Sequence, residues 1–232
     1  MAAPLRMMCA LVVRTPFDQV VVPTFEAHEG AVEIAWSPST VIMKNLADGK
    51  TTDILLVLSD SMDKLVAQGI VDPATRVDVV TSTLGVAVLA GTPHPDISTA
   101  EAFRKTLLAA RSVAYSRGGA SGIYFKQMIE KLGITDEINA RATIIPEGFT
   151  AEMLITGQAD LAVQQHSELL TVSGIDIIGS FPGALQNTVM ASAAVMQGTQ
   201  NAERAKRFLA ALHTQAADAA YRRNGLTPCQ AV

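Results

Sequence analysis

Short apolar runs alternate with helical patterns along almost the whole chain, and that alternation predicts parallel sheets covered by helices. The expected strands lie over residues 5–13, 31–36, 53–58, 78–89, 112–115, 141–145, 160–164, 176–178 and 188–196. Between them the 3.6-residue spacing of apolar side chains predicts helices over about 41–47, 62–68, 98–110, 149–156, 167–171, 201–212 and 214–223. Thr15 and Pro16 suit an N-cap and first turn of a helix reaching about Glu29, which Pro23 must kink or end. Ser59, Asp60 and Ser61 are read as the cap of the helix over 62–68. Ser98 and Glu101 have capping-box spacing, and Gly225 is a C-terminal stop.

Two apolar runs, 78–89 and 188–196, are long enough to cross between lobes. If both cross, residues 1–83 and 192–232 form one lobe and 84–191 the other. With 232 residues, 49% hydrophobic and 17% charged, the chain can fill two cores of ordinary size. Loops following the strands then converge on one cleft, where open α/β sheets bind their ligands.

Composition removes several function classes. Net charge is −4 and no Lys/Arg cluster occurs, which argues against a nucleic-acid partner. No apolar run reaches membrane-spanning length, so membrane insertion is not expected. The first residues lack a charged segment followed by an apolar one, so the chain is either the mature form of a periplasmic protein without its leader or a cytoplasmic protein. Cys9 and Cys229 have no neighbouring metal ligands, so no zinc site is expected. They are two buried thiols or, in an oxidising compartment, a long-loop disulfide. There is no nucleophile elbow, Walker loop, HExxH or dinucleotide fingerprint, and no cofactor is expected.

One segment carries positive chemical information. An apolar run ending at Tyr115 leads into Ser116, Arg117, Gly118, Gly119, Ala120, Ser121 and Gly122, then into Ile123, Met128, Ile129 and Leu132 at mostly helical spacing, with Gly133 as the stop. A helix N-terminus presents unpaired N–H groups and partial positive charge. Glycines let a ligand approach the backbone, hydroxyls donate further bonds and Arg117 adds a full charge, so the element suits an anion.

The chain resembles the type II periplasmic solute-binding proteins of the molybdate-binding-protein-like group. The matching stretches are DILLVLS at 53–59 with MDKLVAQGI at 62–70, LGVAVLAG at 84–91, AARSVAYS at 109–116 with GASGIY at 119–124, LITGQAD at 154–160 and NGLTP at 224–228. The resemblance implies two α/β lobes, two crossover strands, a cleft that closes on a small anion, and the permease of an ABC-type uptake system as partner. Members that bind molybdate carry small residues and serines in the first two ligand loops. Here those loops are Arg14-Thr15-Pro16 and Ser37-Pro38-Ser39-Thr40. An arginine grips a carboxylate with two parallel hydrogen bonds, so the departure points to an organic di- or tricarboxylate rather than molybdate. The same group contains aconitate isomerase, an allylic proton-transfer enzyme on this scaffold, and that activity is the alternative.

Each candidate also has a plainer reading. Arg14 anchors a carboxylate or is a surface arginine, and Thr15 faces the ligand or caps a helix. Ser37, Ser39 and Thr40 donate hydroxyls to the ligand or cap the next helix, and Ser59 holds the equivalent place after the third strand. Ser116, Arg117 and Ser121 hold the anion, or form a glycine-rich connection without a ligand. Gln164 is expected to bond the ligand. For an isomerase, His166 has the right intrinsic pKa to move a proton and Glu147 can serve if desolvated. His28, His94 and His213 lie far apart and are read as structural.

Overall fold

A computed structural model describes residues 3–230, which divide into two compact units: residues 3–82 with 189–230, and residues 83–188. The protein is a mixed α/β molecule whose mostly parallel strands are covered by helices.

The first unit begins with β1 (Leu5–Cys9), shorter than the apolar run predicts, because residues 11–13 leave the sheet as a 3-10 turn. Helical backbone then continues through α1 (Arg14–Pro16), a π-turn over Phe17–Val21 and α2 (Val22–Glu29). Thr15 therefore lies inside helix rather than capping one, and no side chain caps this start. Pro23 does not end the helix. It lacks an N–H and sits in the first turn of α2, and the wider π-turn before it absorbs the missing bond. β2 (Val32–Trp36), α3 (Ser39–Ala47), β3 (Ile54–Leu58) and α4 (Ser59–Ala67) follow. Ser59 is already helical, so Ser59 to Ser61 do not form the expected cap.

β1 pairs parallel with β2 and β3, and the chain's return strand β9 (Thr188–Val195) pairs antiparallel with β3. α10 (Ala202–Ala211), α11 (Gln215–Arg223) and the short β10 (Thr227–Pro228) complete the unit, with Thr214 capping α11 through Ala217 N–H. Its core is aromatic at the centre: Phe17 meets Trp36 and Phe208 edge-on at 6.1 Å, and Phe25 meets Phe208 at 5.0 Å. Cys9 and Cys229 are free thiols, Cys9 fully buried.

β4 (Val77–Leu89) runs from the first unit into the second, which contains α5 (Ala100–Ala109), β5 (Val113–Ser116), α6 (Ala120–Lys131), α7 (Thr135–Asn139), β6 (Thr143–Ile145), α8 (Glu152–Ile155), β7 (Leu161–Gln165), α9 (His166–Leu169) and β8 (Ile175–Ser180). β5 pairs parallel with β6 and β7, and β4 pairs antiparallel with β7 and β8. The helix α7 was not legible as a separate element, and the cap of α5 is Thr99, whose hydroxyl accepts Ala102 N–H, one residue later than the capping-box spacing suggests. Phe103, Phe125, Phe181 and Tyr115 form this unit's aromatic core.

Asp53 fastens the returning segment to the first unit. Its buried carboxylate accepts hydrogen bonds from Arg6 N–H, the Thr199 hydroxyl and the Asn201 amide. Burial alone would raise its pKa. The three donors outweigh that, and the carboxyl sits below its ordinary value. Its stabilising contribution is therefore present above the ordinary carboxylate range and lost as pH falls through the depressed value. Asp53→Ala leaves three donors without an acceptor and is expected to lower unfolding free energy by about 3 kcal/mol at neutral pH, read by urea denaturation, with a smaller deficit in acid.

Candidate functional site

Parallel strands finish on the same edge. In the first unit β1, β2 and β3 end at Cys9, Trp36 and Leu58, and hydrogen bonds stitch the loops that follow. Ser37 N–H donates to Cys9 O at 3.1 Å and Ala10 N–H to Leu56 O at 2.9 Å. Leu58 N–H donates to Ser39 Oγ at 3.0 Å. Because Ser39 accepts there, its own hydrogen remains for a different acceptor. Arg14 stands on this edge with its guanidinium 5.9 Å from the Trp36 ring centroid. Its ion pair with Asp18, at 3.5 Å, is half exposed and contributes under about 1 kcal/mol. Thr15 is half-buried beside it, and Thr40 is exposed in the first turn of α3.

Ser59 is oriented differently. Ser192 Oγ donates to Asp78 Oδ1 at 2.6 Å, so in the 2.6 Å Ser59–Ser192 contact the Ser59 hydroxyl must be the donor. Ser59 also directs its hydrogen toward Met190 O. It turns lone pairs outward and is a poor anion donor.

In the second unit β5, β6 and β7 end at Ser116, Ile145 and Gln165. The Gly/Ser loop lies against the strand it leaves. A Cβ on Gly122 would stand 1.7 Å from the Ser116 carbonyl oxygen, so only glycine lets α6 begin here. Cβ atoms on Gly119 and Gly122 would also lie 2.6 and 2.8 Å from the Ser116 hydroxyl. That hydroxyl is buried and has no hydrogen-bond partner, beside the N-terminus of a twelve-residue helix whose first amides are unpaired by geometry. Ser121 is buried in the first turn of α6. Arg117 is exposed, and its N–H donates to Ile145 O at 2.7 Å, which joins the loops after β5 and β6.

Gln164 does other work than ligand contact. Its Oε1 accepts from Thr150 N–H at 2.7 Å and the Thr150 hydroxyl at 3.0 Å, and its Nε2 donates to Gly148 O at 2.8 Å. It clamps the loop that carries exposed Glu147. The neighbouring Gln165 is the reverse case. It is 4% exposed, and both amide atoms lack a partner, as does the buried Ser167 hydroxyl two residues on.

Two titratable groups stand at this strand end. His166 is half-buried, and burial lowers its pKa, so the neutral imidazole dominates near neutral pH. Glu168 is pushed up to about 7 by burial, against the opposing pull of Gln165 N–H and the Gln164 amide. Glu168 was not among the sequence candidates. The signal was available, since a glutamate three residues after Gln165 has the spacing to accept the cap residue's N–H. Of the histidines read as structural, His28 is exposed, His94 is exposed on Asp176, and His213 has both ring nitrogens buried without a partner.

Two cavities lie away from these edges. One of about 600 Å³ in the second unit is lined by Val88, Leu89, Ala109, Leu154 and Leu161, with Lys105, Arg111 and Asp160 also at its wall. The other, about 910 Å³ in the first unit, has charges of both signs from Asp72, Arg76, Asp78 and Lys206. Among the described residues no group of three or more His, Cys, Asp or Glu could hold a metal ion, and no helix is long and apolar enough to cross a membrane.

Comparison with known proteins gives a consistent picture. A family model described as bacterial extracellular solute-binding protein matches residues 5–227. An aconitate isomerase of a Pseudomonas species is 36% identical over 218 residues, covering 91% of this chain and 83% of the relative. Among solved structures, the periplasmic molybdate-binding protein of Azotobacter vinelandii matches with a TM-score of 0.78 and 21% identity, over 97% of this chain and all of that one. The sulfate-binding protein of Mycobacterium tuberculosis matches with a TM-score of 0.77 and 17% identity, over 99% and 88% of the two chains. At those identities the structures speak to the fold alone.

Two outcomes follow from the second unit's geometry. Gly122→Ala is expected to destabilise by about 2–4 kcal/mol in urea denaturation, because its methyl group must displace the start of α6 from β5. Glu168, with its raised pKa, stabilises fully below the ordinary carboxylate value and loses that contribution as pH rises to and through about 7. Unfolding free energy should drop by about 3 kcal/mol from this group between mildly acidic and alkaline pH, and Glu168→Gln should flatten that slope.

Proposed function

The chain belongs to the bacterial extracellular solute-binding protein family, and from that premise we propose that it binds a small organic di- or tricarboxylate as the periplasmic receptor of an ABC-type uptake system. The observation that carries this reading is the second unit's strand edge. There the buried, unpartnered hydroxyl of Ser116 stands beside the α6 N-terminus, with Arg117 in the same loop. An unpartnered buried hydroxyl costs about 1–3 kcal/mol, which a ligand oxygen offsets. Unpaired amides and hydroxyls together hold an oxyanion.

Arg14 supports a carboxylate over a metal oxyanion. The face of Trp36 holds its planar guanidinium, which limits the entropy lost when it forms two parallel hydrogen bonds to a carboxylate. The residues proposed for ligand contact are Arg14, Thr15, Ser37, Ser39 and Thr40 on the first unit's strand edge and, taken separately, Ser116, Arg117 and Ser121 on the second unit's strand edge. Gln164 supports the site by clamping loop 148–150, and Gln165 takes its place as the glutamine offered to the ligand.

A second reading is allylic isomerisation of an aconitate-type acid. It is favoured by the relative named aconitate isomerase and by the neutral imidazole of His166. In this reaction a base removes one proton from the methylene carbon, the double bond moves across three carbons, and one proton returns to the far carbon. His166 is the proposed base, with Glu147 the alternative acid-base group.

Thermal-shift screening separates these outcomes. Citrate and the aconitates are expected to raise the melting temperature in proportion to the logarithm of concentration once saturated, and molybdate and sulfate are not. Arg14→Ala should weaken carboxylate binding by about 10- to 100-fold, and Ser116→Ala by about 5- to 20-fold. Stabilisation by molybdate alone overturns the carboxylate assignment. Conversion of cis- to trans-aconitate, abolished by His166→Gln, decides for the enzyme, and binding without turnover decides for the receptor.

A further inference from the structure

We propose that Gln165 is a specificity-determining residue of the second unit's ligand edge, and that its side-chain amide selects an acid with a hydroxyl on the carbon that bears a carboxylate over the same acid without that hydroxyl. This rests on the reading that the edge where β5, β6 and β7 end holds an organic carboxylate, and it names the class of that acid, a hydroxypolycarboxylate.

The strand ladder places the amide. Gln165 is the last residue of β7 and lies directly opposite Leu84 of β4, so the two side chains share one face of the sheet. On that face Leu84 packs in one cluster with Val163, Tyr115 and Phe125, the last of these on α6. α6 leaves the end of β5 and packs across both β5 and its parallel neighbour β7. Its N-terminus, the Ser116 hydroxyl and the Gln165 amide therefore stand at the same end of two adjacent strands.

Other glutamines of this unit are bonded within the protein. Gln164 uses its amide on Thr150 and Gly148. Gln186 accepts Leu84 N–H at 2.9 Å and donates to Leu84 O at 2.9 Å. That clamp occupies both backbone groups of the residue facing Gln165. The imidazole of His166 lies elsewhere: its Nδ1 is 3.7 Å from the position a Cβ would take on Gly85, which faces the opposite side of β4 from Leu84. Gln165 is buried with neither Oε1 nor Nε2 bonded. Exchanging the two atoms changes nothing, because both are without a partner.

The chemistry of an amide then sets the demand on the ligand. Nε2 donates and Oε1 accepts. A carboxylate only accepts, so it satisfies Nε2 and leaves Oε1 a buried acceptor beside an anion. The buried hydroxyls of Ser116 and Ser167 make no such demand, since each can donate its hydrogen to an anion. A hydroxyl next to the carboxylate supplies the missing donor. The carboxylate oxygen then accepts from Nε2 while the hydroxyl donates to Oε1, and both amide atoms are satisfied by neighbouring groups of one ligand. A site built to bond a ligand hydroxyl rejects the analogue that lacks it, because its own polar atom is left unpaired.

Isothermal titration of the full chain with two matched pairs tests this, citrate against tricarballylate and malate against succinate. At about pH 8 the ligand carboxyls are ionised, so the hydroxyl is the one donor that distinguishes the members of a pair. The expected result is that the hydroxy acid binds about 10- to 100-fold more tightly than its partner. Gln165→Met keeps the length of the side chain without its polar atoms. It should bring the ratio to within about twofold, chiefly by weakening the hydroxy acid, and leave the urea midpoint of the ligand-free protein unchanged or higher. Equal affinities within the pairs overturn the inference while the carboxylate reading stands. So does a ratio that persists in Gln165→Met, or a marked fall in its ligand-free midpoint, which assigns the amide a structural bond instead. If Gln165→Met does not fold, Gln165→Asn, which withdraws the amide by one methylene, takes its place and should reduce the ratio likewise. Folded protein that binds none of the four acids removes the carboxylate reading and this inference with it.

Discussion

In a parallel ladder the carbonyl ends of neighbouring strands stop side by side, and each must be followed by a loop that turns into a helix. β1, β2 and β3 meet this condition in the first unit, and β5, β6 and β7 meet it in the second. The candidate residues then need no long-range coincidence to come together. Arg14, Ser37 and Ser39 follow adjacent strands, as do Ser116, Arg117, Glu147 and His166. The loops are also bonded to one another, by Ser37 N–H to Cys9 O in one unit and Arg117 N–H to Ile145 O in the other, so the ends of the strands behave as one surface rather than as separate turns.

The close approach of α6 to β5 fixes the shape of the second unit's part of that surface. With a glycine at position 122, the Ser116 carbonyl fits inside the first turn of the helix, and the hydroxyl of the same residue is enclosed beneath the amides. Any larger residue would push the helix away and open the enclosure to water. A donor shielded from water binds an oxyanion more strongly than the same donor in solvent, because the local dielectric is lower. Steric necessity at Gly122 and electrostatic capacity at Ser116 are thus two consequences of one contact.

The sequence showed clearly those features that depend on periodicity and on the chemistry of short loops. The order of strands and helices, the Gly/Ser loop and the positions of Arg14 and Ser116 are all of this kind. What it hid depends on the direction of single side chains. Alternation along β7 cannot say which of Gln164 and Gln165 turns toward Thr150, because both are polar and the strand ends between them and the helix. Ser59 sits at a strand end like Ser116, yet its hydrogen is directed inward by Ser192 and Asp78, residues more than a hundred positions from one another. Thr15 looks like a cap because Pro16 follows it, but the helical backbone has already started at Leu11, and the π-turn that accommodates Pro23 has no compositional mark. Glu168 escaped notice because glutamate is ordinarily a solvent residue, and only the packing of α9 against β7 shows it to be buried.

The protonation states at the end of β7 bear on receptor and enzyme alike. A receptor for a polycarboxylate gains from groups that offer hydrogen bonds without negative charge, and the buried, unpartnered Gln165 amide is a group of that kind. An isomerase needs in addition a base that is unprotonated before it takes a proton from carbon, and burial holds the His166 imidazole toward its neutral form. One chain thus matches both a solute-binding family and a relative named as an isomerase, and the strand edge that ends β7 carries the groups on which the proposed choice between them turns.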